Sequence, residues 1–187
     1  MKRWMAPISF KNPCERILPS SMISFGGSSQ DAIIASSTSG IVPSRLVEAL
    51  ERPERFLIVH PLSPPHLLPI TELCTAPETS DATLERMKSF LHSIGQNPVH
   101  LKKEIPSFAL SRILSVLISE CFGLIQDGVL APDDVDPLLT QAFGLRWAVI
   151  GPLAAMDLDA AGGIGEYLRK YGGIYRPLRA AEAANPF

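Results

Sequence analysis

The sequence predicts a mixed α/β fold, a small mixed sheet with covering helices, followed by an all-α region. Three observations carry this expectation. "FLIVH", residues 56–60, is an unbroken apolar run closed by Pro61, the pattern of a strand buried on both faces. "SDATLERMKSFLHSIG" places Leu84, Met87, Leu91 and Ile94 at helical spacing. Beyond Pro106 strand patterns stop and long helical ones take over.

The elements follow in order. Residues 1–30 hold Pro7, Pro13 and Pro19 and then "SSMISFGGSSQ", with no sustained period, and read as an irregular, loosely ordered leader. Ala32 to Ala35 is a short strand, and the serines and Gly40 after it make a turn. "PSRLVEAL" is a short helix, "FLIVH" a buried strand and "LPITELC" a second strand. The helix of residues 81–94 has Ser80 as its cap and Gly95 as its stop, and "NPVHLKK" is a further short strand. Phe108 to Gln126 is apolar over most of its circumference, which predicts a largely buried helix. Asp127-Gly128 ends it, and "PDDVDPLLTQAF" opens another with acids in its first turn. From Gly151 small residues, glycines and helical pieces alternate. The divisions are a leader at 1–30, a sheet-containing part at 31–104 and a helical part at 105–187.

Composition narrows the function classes. A net charge of -2, with no basic run beyond Lys102-Lys103, gives no reason to expect nucleic acid as a partner. Cys14, Cys74 and Cys121 form no CxxC pair, which suggests reduced thiols, a cytoplasmic setting and no metal site. Met1-Lys2-Arg3 is not followed by a continuous apolar core. The stretch Ile113 to Ile125 carries serines and Glu120 and is too short to span a bilayer, so no membrane partner is expected.

Chemistry points to the strand ends. In open α/β sheets, sites collect at the carboxyl ends of strands, and Ser39 and His60 both stand at such ends. Glu72, between Thr71 and Leu73, lies inside an apolar strand, where an unpaired carboxylate is costly. Pairing it with His60 satisfies the carboxylate and sets the tautomer of the ring. Each residue alone also has an ordinary reading: a structural histidine, a solvent-facing glutamate, a turn serine. Ser111, Ser115 and Ser119 repeat every four residues, which equally suits close helix packing.

"ASSTSG", "VHPLSPPHLLPITEL", "IGQNPVHLKKEIPSFALSRIL" and "GLRWAVIGPL" stand in one order. Through them, over about residues 31–175, the chain resembles the 3-hydroxyacyl-CoA dehydrogenase superfamily, and within it the lambda-crystallin branch that includes L-gulonate 3-dehydrogenase. The resemblance implies a Rossmann-type domain that binds NAD and a helical domain, similar to that of 6-phosphogluconate dehydrogenase, that completes the site and a homodimer. It implies oxidation of a secondary 3-hydroxyl on a small hydroxy acid or hydroxyacyl-CoA, with hydride passing to the nicotinamide. His60 matches the general base and Glu72 the carboxylate that orients it. Ser39 matches the serine that hydrogen-bonds the substrate oxygen, and Ser111 stands in the place of a catalytic asparagine.

The sequence departs from that pattern in two ways. A dinucleotide site needs a strand, G-x-G-x-x-G and a helix; "SFGGSSQ" lacks the spacing, and "GGIGEYL" has Leu168 where the third glycine belongs. The part at 31–104 is therefore expected to be a remnant of a Rossmann domain, truncated in its NAD-binding half. Ser63 and Ser111 also replace asparagines, and Ser107 replaces the glycine of a Gly-Phe pair. A hydroxyl offers one donor where an amide offers two, and losing a donor aimed at developing charge costs about 10²–10³ in rate. Two readings stay open: a dehydrogenase with His60 as base, and a non-catalytic truncated relative acting as a pseudoenzyme or dimerisation module. A hydrolase built on Ser39, His60 and Glu72 is disfavoured, since Ser37 stands where a nucleophile elbow requires glycine.

Overall fold

Strands β1 (Ile34–Ser36), β2 (Phe56–Pro61), β3 (Ile70–Thr75) and β4 (Asn97–Leu101) form one sheet in chain order. The computed structural model describes residues 31–184, so the expected leader lies outside the described residues. β1 runs parallel to β2, β2 antiparallel to β3, and β3 parallel to β4, which is the small mixed sheet expected. The first strand starts at Ile34 rather than Ala32. Register explains the shift: Ile34 pairs with Phe56, the first residue of β2, so Ala32 and Ile33 precede any partner.

Alternate residues separate the core into two layers. Phe56, Ile58, Cys74 and Ala76 face one way and pack with Leu46 and Val47 of α1 (Ser44–Val47) and with Phe108. Leu57 and Leu73 face the other way, against Leu84, Met87 and Leu91 of α2 (Asp81–Ser93). "FLIVH" is apolar without alternation because both faces of β2 are covered. Pro61 is tolerated in β2 because β1 reaches only as far as Ile58. Beyond that point β2 has an open side, where a missing N–H costs no ladder bond.

The helix signals of α2 hold. The Ser80 hydroxyl accepts from the Thr83 N–H at 3.2 Å, and Gly95 takes a φ of +79° after the last turn. Ile94, expected on the apolar face, is instead exposed, because it is the C-cap and lies past the turn that faces the sheet.

α3 (Phe108–Gln126) has the expected span but is not a buried helix. Phe108 is its one buried residue, whereas Ile113 is 68% exposed and Phe122 55%. Its first turn is tied to the sheet through Phe108 and through the Ala109 and Leu110 N–H groups, whereas many of the apolar side chains that follow are exposed. At 19 residues it is long and apolar enough, by length and composition, to cross a bilayer, which the shorter stretch within it suggested was not so. Its start is nonetheless built into the core of the sheet through Phe108.

Contacts divide the chain after Leu114 into a sheet-bearing unit and a helical unit. In the second, α4 (Pro132–Pro137) continues through a π-helical stretch, Leu138–Gly144, into α5 (Leu145–Trp147). Phe143 and Trp147 stack there at 5.0 Å. α6 (Pro152–Leu158) packs on α7 (Gly163–Ala184). The "GGIGEYL" stretch opens α7. Gly163 has a φ of +71°, Asp157 accepts the Ile164 N–H at 2.8 Å and Glu166 accepts the Gly162 N–H at 2.5 Å. Carboxylates of the chain thus fill the place an anion would take.

Two outcomes test this architecture. Leu57→Ala, at a site with no exposure between sheet and α2, is expected to cost about 2–5 kcal/mol of unfolding free energy. Denaturant melts with an unchanged slope would show it. Cys74 is buried, and desolvation, with Glu104 and Glu72 adding to it, pushes its thiol up to about 11. Iodoacetamide near neutral pH should therefore label half-buried Cys121 while Cys74 stays unmodified until the chain unfolds, as peptide mapping would show.

Candidate active site

The row Phe56, Ile58 on β2 continues, at the same spacing of two, to His60; the row of Ala76, just past β3, and Cys74 within it continues to Glu72. The antiparallel register sets His60 directly opposite Glu72, and residues opposite one another share a face. The interval of twelve residues between them is therefore one strand, one connection and the return strand. Leu62 closes that connection, donating its N–H to the Ile70 carbonyl at 3.2 Å. His60 lies within β2 rather than after its end.

His60 Nδ1 and Glu72 Oε2 are 2.9 Å apart, in a site where His60 is 8% exposed and Glu72 2%. A carboxylate so buried needs partners for both oxygens. Its Oε1 accepts two backbone N–H groups, those of Ala109 and Leu110, each at 2.9 Å. These belong to the first turn of α3, whose N–H groups have no partner within the helix and whose dipole favours negative charge. Glu72 thus joins an imidazole to a helix N-terminus. Because Oε2 can only accept from an imidazole, the proton belongs on Nδ1, and Nε2 keeps its lone pair for other work.

The turn that delivers α3 is unusual. Ser107 and Phe108 have φ values of +63° and +53°, a left-handed conformation costing a non-glycine residue about 1–2 kcal/mol. Ser107 is the residue that replaces glycine in the Gly-Phe pattern, so the sequence departure coincides with a backbone position suited to glycine. Phe108 is fully buried and its ring lies 5.3 Å from that of His60, tilted by 51°.

Ser39 is exposed, in the loop after β1. The neighbouring Gly40 carbonyl accepts the Ser107 N–H at 3.4 Å, which brings this loop to the turn before α3. Ser111 follows Leu110 in α3 and is half-buried. Among the described residues no hydrogen bond links either serine to His60 or Glu72. Of the four candidates, the structure joins two and sets the others beside the turn that holds them. Sequence reasoning missed Phe108, which read as the first apolar residue of a helix, and the two backbone amides, which leave no trace in residue type.

The fit of a dinucleotide is partial. The helix that follows β1 is only four residues long, and its first amide, Ser44 N–H, already donates to Glu104 Oε2 at 3.0 Å. Among the described residues no glycine-rich turn joins a strand to an open helix N-terminus, so a pyrophosphate cradle is not present there. Nor do they contain a cluster of side chains able to hold a metal ion.

Two family models match the chain. That of the 3-hydroxyacyl-CoA dehydrogenase NAD binding domain covers residues 27–105, and that of the 3-hydroxyacyl-CoA dehydrogenase C-terminal domain covers 108–184. The lambda-crystallin homolog of Bos taurus is 40% identical over 79% of this chain and 46% of its own length. An L-carnitine dehydrogenase of a Pseudomonas species is 35% identical over 76% of the chain and 44% of its own length. A crystal structure of 5-formyl-3-hydroxy-2-methylpyridine 4-carboxylic acid 5-dehydrogenase, an NAD+ dependent dismutase, aligns with a TM-score of 0.73 at 34% identity. That alignment covers 82% of this chain and 48% of the other. The chain spans about half the length of the curated relatives it matches. A sheet ending in a His–Glu pair, matched family models on both sides of residue 106 and these relatives agree: the chain belongs to the 3-hydroxyacyl-CoA dehydrogenase family, on its lambda-crystallin-like branch.

Proposed function

We propose that this chain carries the substrate side of an NAD-dependent dehydrogenation of a secondary 3-hydroxyl, with His60 as general base. The observation that carries the reading is the Nδ1 contact to Glu72, which leaves Nε2 as the free basic atom. In this reading Nε2 takes the hydroxyl proton as the alcohol carbon is oxidised. Glu72, anchored by the α3 amides, compensates the charge that forms on the ring. Ser39 and Ser111 serve the substrate oxygen from either side of the Ser107–Phe108 turn. The substrate class is a small hydroxy acid or a hydroxyacyl-CoA, in keeping with the relatives. NAD is the cofactor of this family, and the described residues supply the proton chemistry rather than its cradle.

The helical unit suits pairing with a second copy, because Val129, Leu145, Val149 and Leu153 are all more than 60% exposed in the single chain. Unpaired Cys74 and Cys121 accord with a cytoplasmic setting. A second reading, a non-catalytic relative that keeps the fold and the pairing surface, is favoured by one observation: Glu104 occupies the N-terminus of α1.

Titrating the full chain with NADH, while following nucleotide fluorescence and thermal stability, separates the two. On the dehydrogenase reading binding saturates, and His60→Ala lowers turnover by about 10²–10⁴-fold while sparing that binding. Absence of binding at millimolar cofactor would remove the stand-alone dehydrogenase and leave the non-catalytic relative. Stability reports on the pair independently. Glu72→Ala orphans the Ala109 and Leu110 N–H groups and should cost about 1–3 kcal/mol in a denaturant melt.

A further inference from the structure

We propose that Ser107 and Phe108 form a positioning element for the His60–Glu72 pair, and that Phe108 is a positioning residue for the base. The inference rests on His60 being the working base proposed above. Phe108 belongs to the same buried cluster as Ile58 and Cys74, and simple core filling would account for an apolar side chain there. It does not account for the backbone. Two consecutive non-glycine residues in the left-handed region are maintained only where the surroundings determine them, and such strain gathers at working sites.

What the turn achieves is visible around it. The N–H groups that follow it, Ala109 and Leu110, converge on one oxygen of Glu72, which frees the other oxygen for His60 Nδ1. The aromatic ring of the same turn lies against the imidazole. The Ser107 N–H, meanwhile, holds the Gly40 carbonyl beside Ser39. One pair of residues therefore sets the carboxylate by hydrogen bonds and the imidazole by packing. A ring flip of His60 would break the Nδ1 contact, and the Phe108 ring, 5.3 Å away, is the group we assign to oppose it.

Nitrogen-15 spectra of the full chain, correlating His60 ring nitrogens with ring protons, read this directly. The parent chain should show a single tautomer protonated on Nδ1. In Phe108→Leu, which keeps apolar volume but removes the ring, the two nitrogen shifts should move toward each other as tautomers mix, in a chain whose other amide signals stay dispersed. Phe108→Tyr should restore the parent pattern, and Ser107→Gly should keep it while raising Tm. A folded Phe108→Leu chain with the unaltered Nδ1–H tautomer overturns the proposal, and so does a parent chain without that tautomer.

Should Phe108→Leu not fold, Phe108→Met takes its place, and hydrogen exchange gives a second test. In the Phe108 variant the Ala109 and Leu110 amides should exchange faster, relative to the rest of α3, than in the parent, because the turn no longer holds them on Glu72 Oε1; equal rates in parent and variant would overturn the proposal. These spectra use neither cofactor nor substrate, so failure of NADH to bind and failure of the turn to set the tautomer are separate results.

Discussion

The carboxylate of Glu72 is the junction on which the site depends. It is buried, so it must be fully partnered, and its partners come from two places distant in the chain. One is the imidazole across the hairpin; the other is the first turn of α3. Neither contact alone would suffice. A carboxylate bonded only to the helix would leave the ring free to choose its tautomer, and one bonded only to the ring would leave α3 with unsatisfied amides against the sheet. The sharing ties the orientation of the base to the placement of a helix.

The sheet makes this possible through its parity. On the face that carries Phe56, Ile58, Cys74 and Ala76, the next positions along both strands are His60 and Glu72, so the polar pair ends an apolar row without interrupting it. α1 and Phe108 cover the row, and the opposite face is closed by α2. The result is a polar pair in dry surroundings, where a hydrogen bond between charged or chargeable groups is stronger than in water. The second unit is organised differently. Its helices pair with neighbours along the chain, and much apolar surface remains exposed, as α3 also shows beyond its first turn.

Much was legible in advance. The elements followed from local rules: an apolar run closed by Pro61, a serine cap with its glycine stop, and a change to helical periodicity after Pro106. His60 and Glu72 stood out because a carboxylate in a buried strand demands a partner, and the register then joined them. Burial was less legible. The circumference of α3 read as core, yet apolarity records what a helix can bury and not what lies beside it. The limits of β1 were likewise set by where its neighbour begins.

The residue order by itself therefore determined the strands, the helices, the family motifs and the pairing of Glu72 with His60, because each depends on side-chain type and short-range spacing. Tertiary structure alone decided that Glu72 divides its oxygens between His60 and two amides, that Phe108 lies on the imidazole, and that Glu104 takes the N-terminus of α1. The reason is that these contacts use backbone N–H groups, which every residue but proline carries, and a left-handed turn at Ser107–Phe108 that no side chain there prefers.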